Sequence, residues 1–383
     1  MKKVLLVTHV SGFVPQFEMN NVKILQRMGY EVHYASNFSN PSYGYDNERL
    51  KGTGIVCHQI DFERSPFHSN NRKAYKQLKQ LMTEMKFDLV HCHTPVGGAL
   101  TRLAAYRTKT KPVLYTAHGF HFFKGAPFKN WLLYYPVEWM LSYLTDYLIC
   151  INDEDYLRAQ KRFHAKHYVK IPGVGVHADL IDQIKVNRID KRKGLQIPED
   201  AFVFLSVGEI NKNKNQELML HAMGILKQTQ KSDNVYYILC GKGPEEQHLH
   251  RIAHELGIQN RIVFLGYRKD VYELYKTADA FVFPSQREGM PVALMEAMAS
   301  AMPVICSDIR GNRDLIDDGK GGFLIKSFEE AQYCEAMEQL IQDKSMRNAM
   351  GNYNRKKVEQ FTCERVMEIM ECVYREALDY KAE

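Results

Sequence analysis

Two glutamates, Glu288 and Glu296, flank the turn Gly289-Met290-Pro291 within the segment Pro284 to Pro303. Pro291 suits a first helical position, so the spacing predicts a strand ending at Phe283, a loop carrying Glu288, and a helix from about residue 290 with Glu296 in its second turn. That helix is apolar almost all round and therefore buried, so Glu296 needs hydrogen-bond partners or a cavity. Sugar hydroxyls would serve. The exposed amides of the loop and the positive end of the helix also make an anion site suited to a diphosphate. The alternative is structural: a buried Glu bonded to backbone and a capping Glu.

Other chemistry is poorly supported. The dinucleotide fingerprint G-x-G-x-x-G is missing after the first strand, where only Gly12 stands, so a nicotinamide enzyme is not expected. Gly241-Lys242-Gly243-Pro244 follows a strand but lacks the Walker spacing, and reads as a tight turn into a helix. In His91-Cys92-His93 the middle side chain points away from its neighbours, and no further ligands stand at matching spacing, so no metal site is expected. The acidic run Asp153-Glu154-Asp155 is the exception to a chain otherwise without Asp-x-Asp, and it reads as a helix start. His118, at a strand end, reads by itself as a structural residue.

The elements that must hold these residues form two α/β series. In the first, runs at 3–8, 31–35, 88–91, 113–117 and 147–151 read as strands, with helices at about 16–28, 71–85 and 97–107, and Gly29 closes the first helix. Pro172-Gly173-Val174-Gly175 and the Lys-rich stretch Lys185 to Lys193 mark a hinge. A second series follows, with strands at 201–207, 235–240, 261–265, 280–283 and 303–306. Alternating strands and helices give parallel, doubly wound sheets, which bind ligands at the carboxyl ends of their strands. The expected domains are residues 1–176 and 177–361, with a C-terminal helix of about 362–383 packing back on the first, and two facing sheets point to a cleft between them.

Composition agrees with an ordinary soluble globular chain of two domains. The 383 residues are 45% hydrophobic and 25% charged, which excludes disordered and fibrous classes. Eight scattered cysteines without a C-x-x-C pair read as reduced thiols of a cytosolic protein. The N-terminal apolar run lacks a small-residue cleavage site, so no signal peptide is expected. Trp131 to Ile151 is interrupted by Glu138 and Asp146, so no transmembrane segment is expected. Residues 1–176 carry 23 Lys and Arg against 13 Asp and Glu, a net charge of +10, while the remainder is net −4. A basic N-terminal half suits an anionic partner such as a phosphorylated lipid, a membrane surface or nucleic acid.

Glu288 to Glu296 fits the E-x7-E motif of retaining glycosyltransferases, and the chain resembles family four of these enzymes, which have the GT-B architecture of two facing Rossmann-like domains. The resemblance extends through Asp146-Tyr-Leu-Ile-Cys-Ile, Ile171-Pro-Gly-Val-Gly-Val, Val207-Gly208 leading to Lys214-Asn215, Gly241-Lys-Gly-Pro244, Phe264-Leu-Gly266, Ala278-Asp279-Ala-Phe-Val-Phe-Pro-Ser285 and Gly311-Asn-Arg-Asp314. The stretch Tyr115 to Pro127, with His118, His121 and Lys124, further resembles enzymes of bacterial exopolysaccharide and capsule synthesis. The resemblance implies catalytic roles for Glu288, His118 and Lys214: Glu288 on donor-sugar hydroxyls, Lys214 on the diphosphate, and His118 approaching the transferred sugar from the acceptor side. It places Glu296 on the ribose hydroxyls, backbone amides of Gly289, Met290 and Val292 at sugar and phosphates, and Tyr267 and Arg268 by the base. Lys212 and Gly12 complete the donor-binding set, and His121 and Lys124 are acceptor-side candidates. One departure is Gly208-Glu209, where many relatives carry Arg; either Glu209 turns away or Lys212 supplies the second positive charge. A milder departure is Ala301, where relatives often have Gly.

The function so implied is metal-independent, cofactor-free transfer, with retention, of a hexose or N-acetylhexosamine from a UDP-sugar to a lipid-linked saccharide. The expected location is the cytoplasm, with peripheral contact at an anionic membrane face through the basic stretch from Arg72 and the aromatic run Phe128 to Tyr143. For the Arg72 stretch the alternative is an ordinary amphipathic helix packed on a sheet. The rival functions are a sugar-nucleotide 2-epimerase and a non-catalytic sugar-nucleotide-binding module. Nucleic-acid binding lacks any recognition motif.

Overall fold

The computed structural model describes residues 2–41, 47–229 and 234–379. The chain divides into two units, one running to Val174 and resuming at Cys363, the other Gly175–Thr362.

The first unit is built on seven parallel strands: β1 (Lys3–Val7), β2 (Glu31–Ser36), β3 (Val56–Gln59), β4 (Leu89–His93), β5 (Val113–Ala117), β6 (Tyr147–Cys150) and β7 (His167–Lys170), in the order β3-β2-β1-β4-β5-β6-β7. The central strands are buried along nearly their whole length, as apolar runs covered by helices on both faces must be. β3 and β7 lie at the two edges, where exposed polar side chains hide them from a search for apolar runs. The helix Cys363–Asp379 belongs to this unit and packs on the helix Met19–Arg27. Its Tyr374 hydroxyl meets His91 Nδ1 at 2.7 Å inside the core.

Two helices of this unit bear on the expected membrane contact. The helix Asn70–Met85 turns Ala74, Leu78 and Met82 into the core and leaves Arg72, Lys73, Lys76 and Lys79 exposed, so it is an ordinary amphipathic helix on a sheet. The helix Phe128–Ser142 behaves differently. Its Trp131, Tyr134 and Tyr135 pack on the core while Phe128, Leu132, Val137, Met140 and the adjoining Tyr143 stand in solvent, Phe128 at 80% exposure. Glu138 anchors it from beneath: its carboxylate accepts from Arg102 Nη2 at 2.8 Å and from the Tyr115 hydroxyl at 3.0 Å, all three buried.

The second unit has six parallel strands: β8 (Phe202–Val207), β9 (Val235–Cys240), β10 (Ile262–Gly266), β11 (Ala280–Phe283), β12 (Val304–Ser307) and β13 (Gly322–Ile325), in the order β10-β9-β8-β11-β12-β13. In both sheets the order reverses once, between β1 and β4 and between β8 and β11. The loops leaving those strands diverge to opposite faces, which opens a crevice at their carboxyl ends.

Candidate active site

In the second unit the loops after β8 and β11 meet at the reversal point. The Gln286 amide donates to the Asn213 carbonyl at 2.7 Å, and Asn213 Nδ2 returns a bond to the Arg287 carbonyl at 3.0 Å. So stitched, the loops bring Lys214 Nζ to 2.7 Å from Glu288 Oε1, with the ammonium also 4.5 Å from the centre of the Phe283 ring. Both side chains are partly open to solvent. Arg310, itself buried, holds the Glu288 carbonyl through Nε at 3.1 Å.

Three glycines make this approach possible. A Cβ on Gly241 would stand 1.8 Å from the Gly208 carbonyl oxygen, one on Gly243 would stand 2.0 Å from that of Ile210, and one on Gly311 would stand 2.3 Å from that of Gly289. Gly241-Lys242-Gly243 is therefore packed against the chain around the β8 loop rather than wrapped as a phosphate loop. Gly311, at φ +82°, also needs its left-handed conformation.

The helix after β11 is Val292–Ala299, with Pro291 at the N-cap rather than inside the first turn. Leu294, Met295, Ala297, Met298 and Ala299 are buried, while Glu296 keeps a partly exposed edge. The Tyr275 hydroxyl lies 2.9 Å from Glu296 Oε2 and 3.0 Å from the Ala293 carbonyl. Desolvation by the surrounding core pushes the Glu296 carboxyl up to about 7, and the Tyr275 bond pulls weakly the other way. Met290 is buried beside this helix start, and Gly289 and Val292 are partly exposed. After β10, Tyr267 is exposed, and Arg268 is forked onto Asp270 through Nε at 2.7 Å and Nη2 at 2.6 Å. Asp270 also takes Lys191 at 2.6 Å, and these partners hold its carboxyl well below the usual range. Lys212 and Glu209 are both exposed.

In the first unit, His118 follows β5 and His93 ends β4. The two rings meet at 3.1 Å, His93 Nδ1 to His118 Nε2. Between them stands Glu18, buried, with Oε1 3.3 Å from His118 Nε2 and 3.5 Å from His93 Nδ1. The Phe13 ring sits edge-on to His118 at 4.9 Å. Gly12 lies buried in the turn just before it. His121 stacks on Tyr134 at 4.5 Å, and Lys124 is exposed. The acidic run does begin a helix, Asp153–Arg162, capped by Asn152. Its Asp155 and Glu154 accept from the Phe120 and Lys124 amides at 3.0 and 2.7 Å, fixing the loop that carries His118, His121 and Lys124.

Sequence reasoning missed Glu18, Tyr275 and Arg310. Glu18 reads in sequence as one polar residue of an amphipathic helix. It is in fact the last residue of a π-helical turn, Val14–Glu18, a rare geometry common at functional sites.

Comparison with known proteins gives consistent likenesses. The family described as "Glycosyl transferases group 1" matches residues 187–357, and that described as "Glycosyl transferase 4-like" matches residues 3–152. EpsD of Bacillus subtilis (strain 168), named as a glycosyltransferase, is 38% identical across 99% of this chain and 97% of its own. The UDP-Gal:alpha-D-GlcNAc-diphosphoundecaprenol alpha-1,3-galactosyltransferase of Escherichia coli is 27% identical across 92% of this chain and 90% of its own. Among solved structures, Anabaena HepE in complex with UDP and glucose shares the fold with a TM-score of 0.80 at 19% identity, covering 98% of this chain and all of that one.

Proposed function

Because the chain belongs to the group 1 glycosyl transferases, with the GT-B fold of family four, we propose that it is a retaining enzyme that moves a hexose or N-acetylhexosamine from a UDP-sugar to a lipid-linked saccharide in cell-surface polysaccharide synthesis. The observation that carries this reading is the Lys214–Glu288 pair at the strand-order reversal of the second unit. A compact ammonium and a carboxylate, side by side and partly open to solvent, suit a diphosphate and a sugar hydroxyl respectively. The relative that uses UDP-Gal and the neighbour that holds UDP and glucose support the donor class, and the diphosphoundecaprenol substrate of the former supports a lipid-linked acceptor.

In the proposed reaction the bond from the anomeric carbon to the leaving phosphate oxygen breaks, and the acceptor oxygen bonds to the same face. The acceptor's proton passes to the departing phosphate. Lys214 stabilises the charge that develops there, supported by the amides of Gly289, Met290 and Val292 at the helix start. Lys212 adds positive charge from solvent, and Glu209, exposed, can lie away from the phosphates. Glu288 fixes the sugar hydroxyls, Glu296 accepts from the ribose hydroxyls, and Tyr267 and Arg268 border the base. Gly12, His118, His121 and Lys124 serve the sugar and acceptor from the first unit. Because Lys214 takes the electrostatic role, no metal is required.

Contact with the membrane is peripheral, at its cytoplasmic face, through the exposed apolar side of Phe128–Ser142 backed by the basic first half of the chain. Among the described residues no helix is long and apolar enough to cross a membrane.

The deciding experiment incubates the protein with labelled UDP-sugars and diphosphoundecaprenol-linked saccharides and reads the anomeric configuration of the product by NMR. Transfer with retention, unchanged by EDTA, is expected. An inverted product, or a donor epimer formed without acceptor, would overturn the reading.

A further inference from the structure

The turn that follows Glu288 is held from one side. Arg310 Nε donates to the Glu288 carbonyl at 3.1 Å, and Gly311 lies so close to the next carbonyl that a Cβ there would stand 2.3 Å from the Gly289 oxygen. Residues 310 and 311 are buried, Arg310 at 4% exposure, while Gly289 is partly exposed. Both carbonyls therefore face the buried side. A trans peptide points its N–H opposite to its C=O, and the one cis bond among the described residues is Lys111-Pro112. The amides of Gly289 and Met290 consequently face the other way, side by side, and neither donates to a protein acceptor among the described residues. Successive N–H groups on one side of a turn form a concavity suited to an anion.

The bond that orients this turn is made by a cation. Burying a guanidinium costs more than burying the neutral amide of a glutamine, which could donate to the same carbonyl. What the charge adds is polarisation. The Glu288 C=O and the Gly289 N–H belong to one peptide unit, so a charge-assisted bond at the oxygen draws electron density from the nitrogen and makes the N–H a stronger donor. A donor fixed in direction before the substrate arrives is the kind that stabilises charge as it develops.

We propose that Arg310 is a positioning residue for transfer: through the Glu288–Gly289 peptide it aims and polarises the Gly289 N–H toward the phosphate oxygen that becomes negative as the nucleotide leaves. Gly311 completes the device by admitting the next carbonyl, which aligns the Met290 N–H beside it. The proposal rests on the reading that the 288–292 segment holds the donor. Because the charge on the leaving oxygen grows along the reaction, the strengthened N–H stabilises the transition state more than the bound donor. Its loss therefore falls on kcat rather than on KM.

The test joins transfer kinetics to one NMR signal of the full chain. The dipeptide Glu-Gly occurs once in the sequence, so ¹³C at the glutamate carbonyl and ¹⁵N at the glycine nitrogen isolate the Gly289 amide. In wild type, UDP should move that proton to lower field. Arg310→Gln, which keeps a donor without the charge, should place it at higher field than wild type. Its kcat should fall by about tenfold with the donor KM little changed, a smaller loss than the roughly hundredfold of deleting such a donor outright. Arg310→Lys, which keeps the charge, should recover part of the rate. Unchanged kcat in Arg310→Gln, a loss confined to KM, or a lysine variant no faster than the glutamine one overturns the proposal. So does a wild-type Gly289 signal that stays still at UDP concentrations that raise the melting temperature, an outcome that needs no variant to fold and leaves the donor reading standing. Absence of any UDP effect on the melting temperature would instead remove the donor reading itself.

Discussion

Lys214 and Glu288 are each other's partner, so removing one leaves the other's charge without its neutralising contact. Both are partly solvated, which limits that cost. Glu288→Ala and Lys214→Ala are therefore expected to keep their fold by circular dichroism while each loses about a hundredfold or more in kcat/KM, the scale of deleting one preorganised electrostatic contact. Unchanged turnover in both would remove the assignment. Glu296 predicts a pH dependence. Its carboxyl titrates at about 7 in the folded chain against 4.5 for an ordinary glutamate, so the folded state holds the proton where the unfolded state has lost it. The stability this group contributes is complete below about 4.5 and is lost as pH rises through about 7. Glu296→Gln should gain in melting temperature relative to wild type across that window and level off above it. Stabilisation by UDP should grow as wild type passes pH 7, since the ionised carboxylate is the better acceptor for ribose hydroxyls, and stay flat in the variant; a thermal-shift series checks both.

At the scale of elements, the site depends on loops pressed together at strand ends. Gly311→Ala would set a methyl 2.3 Å from the Gly289 carbonyl at a positive φ, so the Glu288 loop must move. A stability loss of about 1–3 kcal/mol is expected, with weaker UDP binding by calorimetry. Strands with long apolar runs were legible in sequence, as β1, β4, β5, β8 and β11 show, because burial on both faces leaves a continuous signal. β3 and β7 were not, since an edge strand needs little apolar surface, and β13 at the edge of the second sheet was missed too, a run of four residues too short to stand out. The helix from Asn70 and the helix from Phe128 both suited a membrane in sequence; only packing distinguishes the one whose apolar face is spent on the core from the one whose apolar face is left outside.

For the molecule as a whole, charge and exposed apolar surface reinforce one another in the first half of the chain, where a net +10 accompanies the Phe128–Ser142 helix. Binding to vesicles containing anionic lipid is expected, weakening as salt screens the charge. Leu132→Asp with Met140→Asp should abolish it without loss of fold, because both side chains lie in solvent. Flotation that neither salt nor these changes affects would refute the membrane contact. The Glu138 anchor beneath the helix is a different matter: truncating it would strand the buried Arg102 charge and destabilise the unit.

The two parallel-sheet units were legible along the chain because apolar runs alternate with helical stretches, and the family because the motifs of the chain resemble it; the roles of Glu288, Lys214 and Glu296 follow from that resemblance and are what the predictions above test. Tertiary structure alone decided what required distant segments to meet. Lys214 and Glu288 are in contact because β8 and β11 are neighbours at the reversal of strand order, although 74 positions separate the two residues. Glu18 lies between His93 and His118 because β1, β4 and β5 are adjacent and the helix after β1 opens with a π turn. Glutamate in an amphipathic run has the same local pattern whether it faces water or a pair of imidazoles, and only the packing around it tells the two apart.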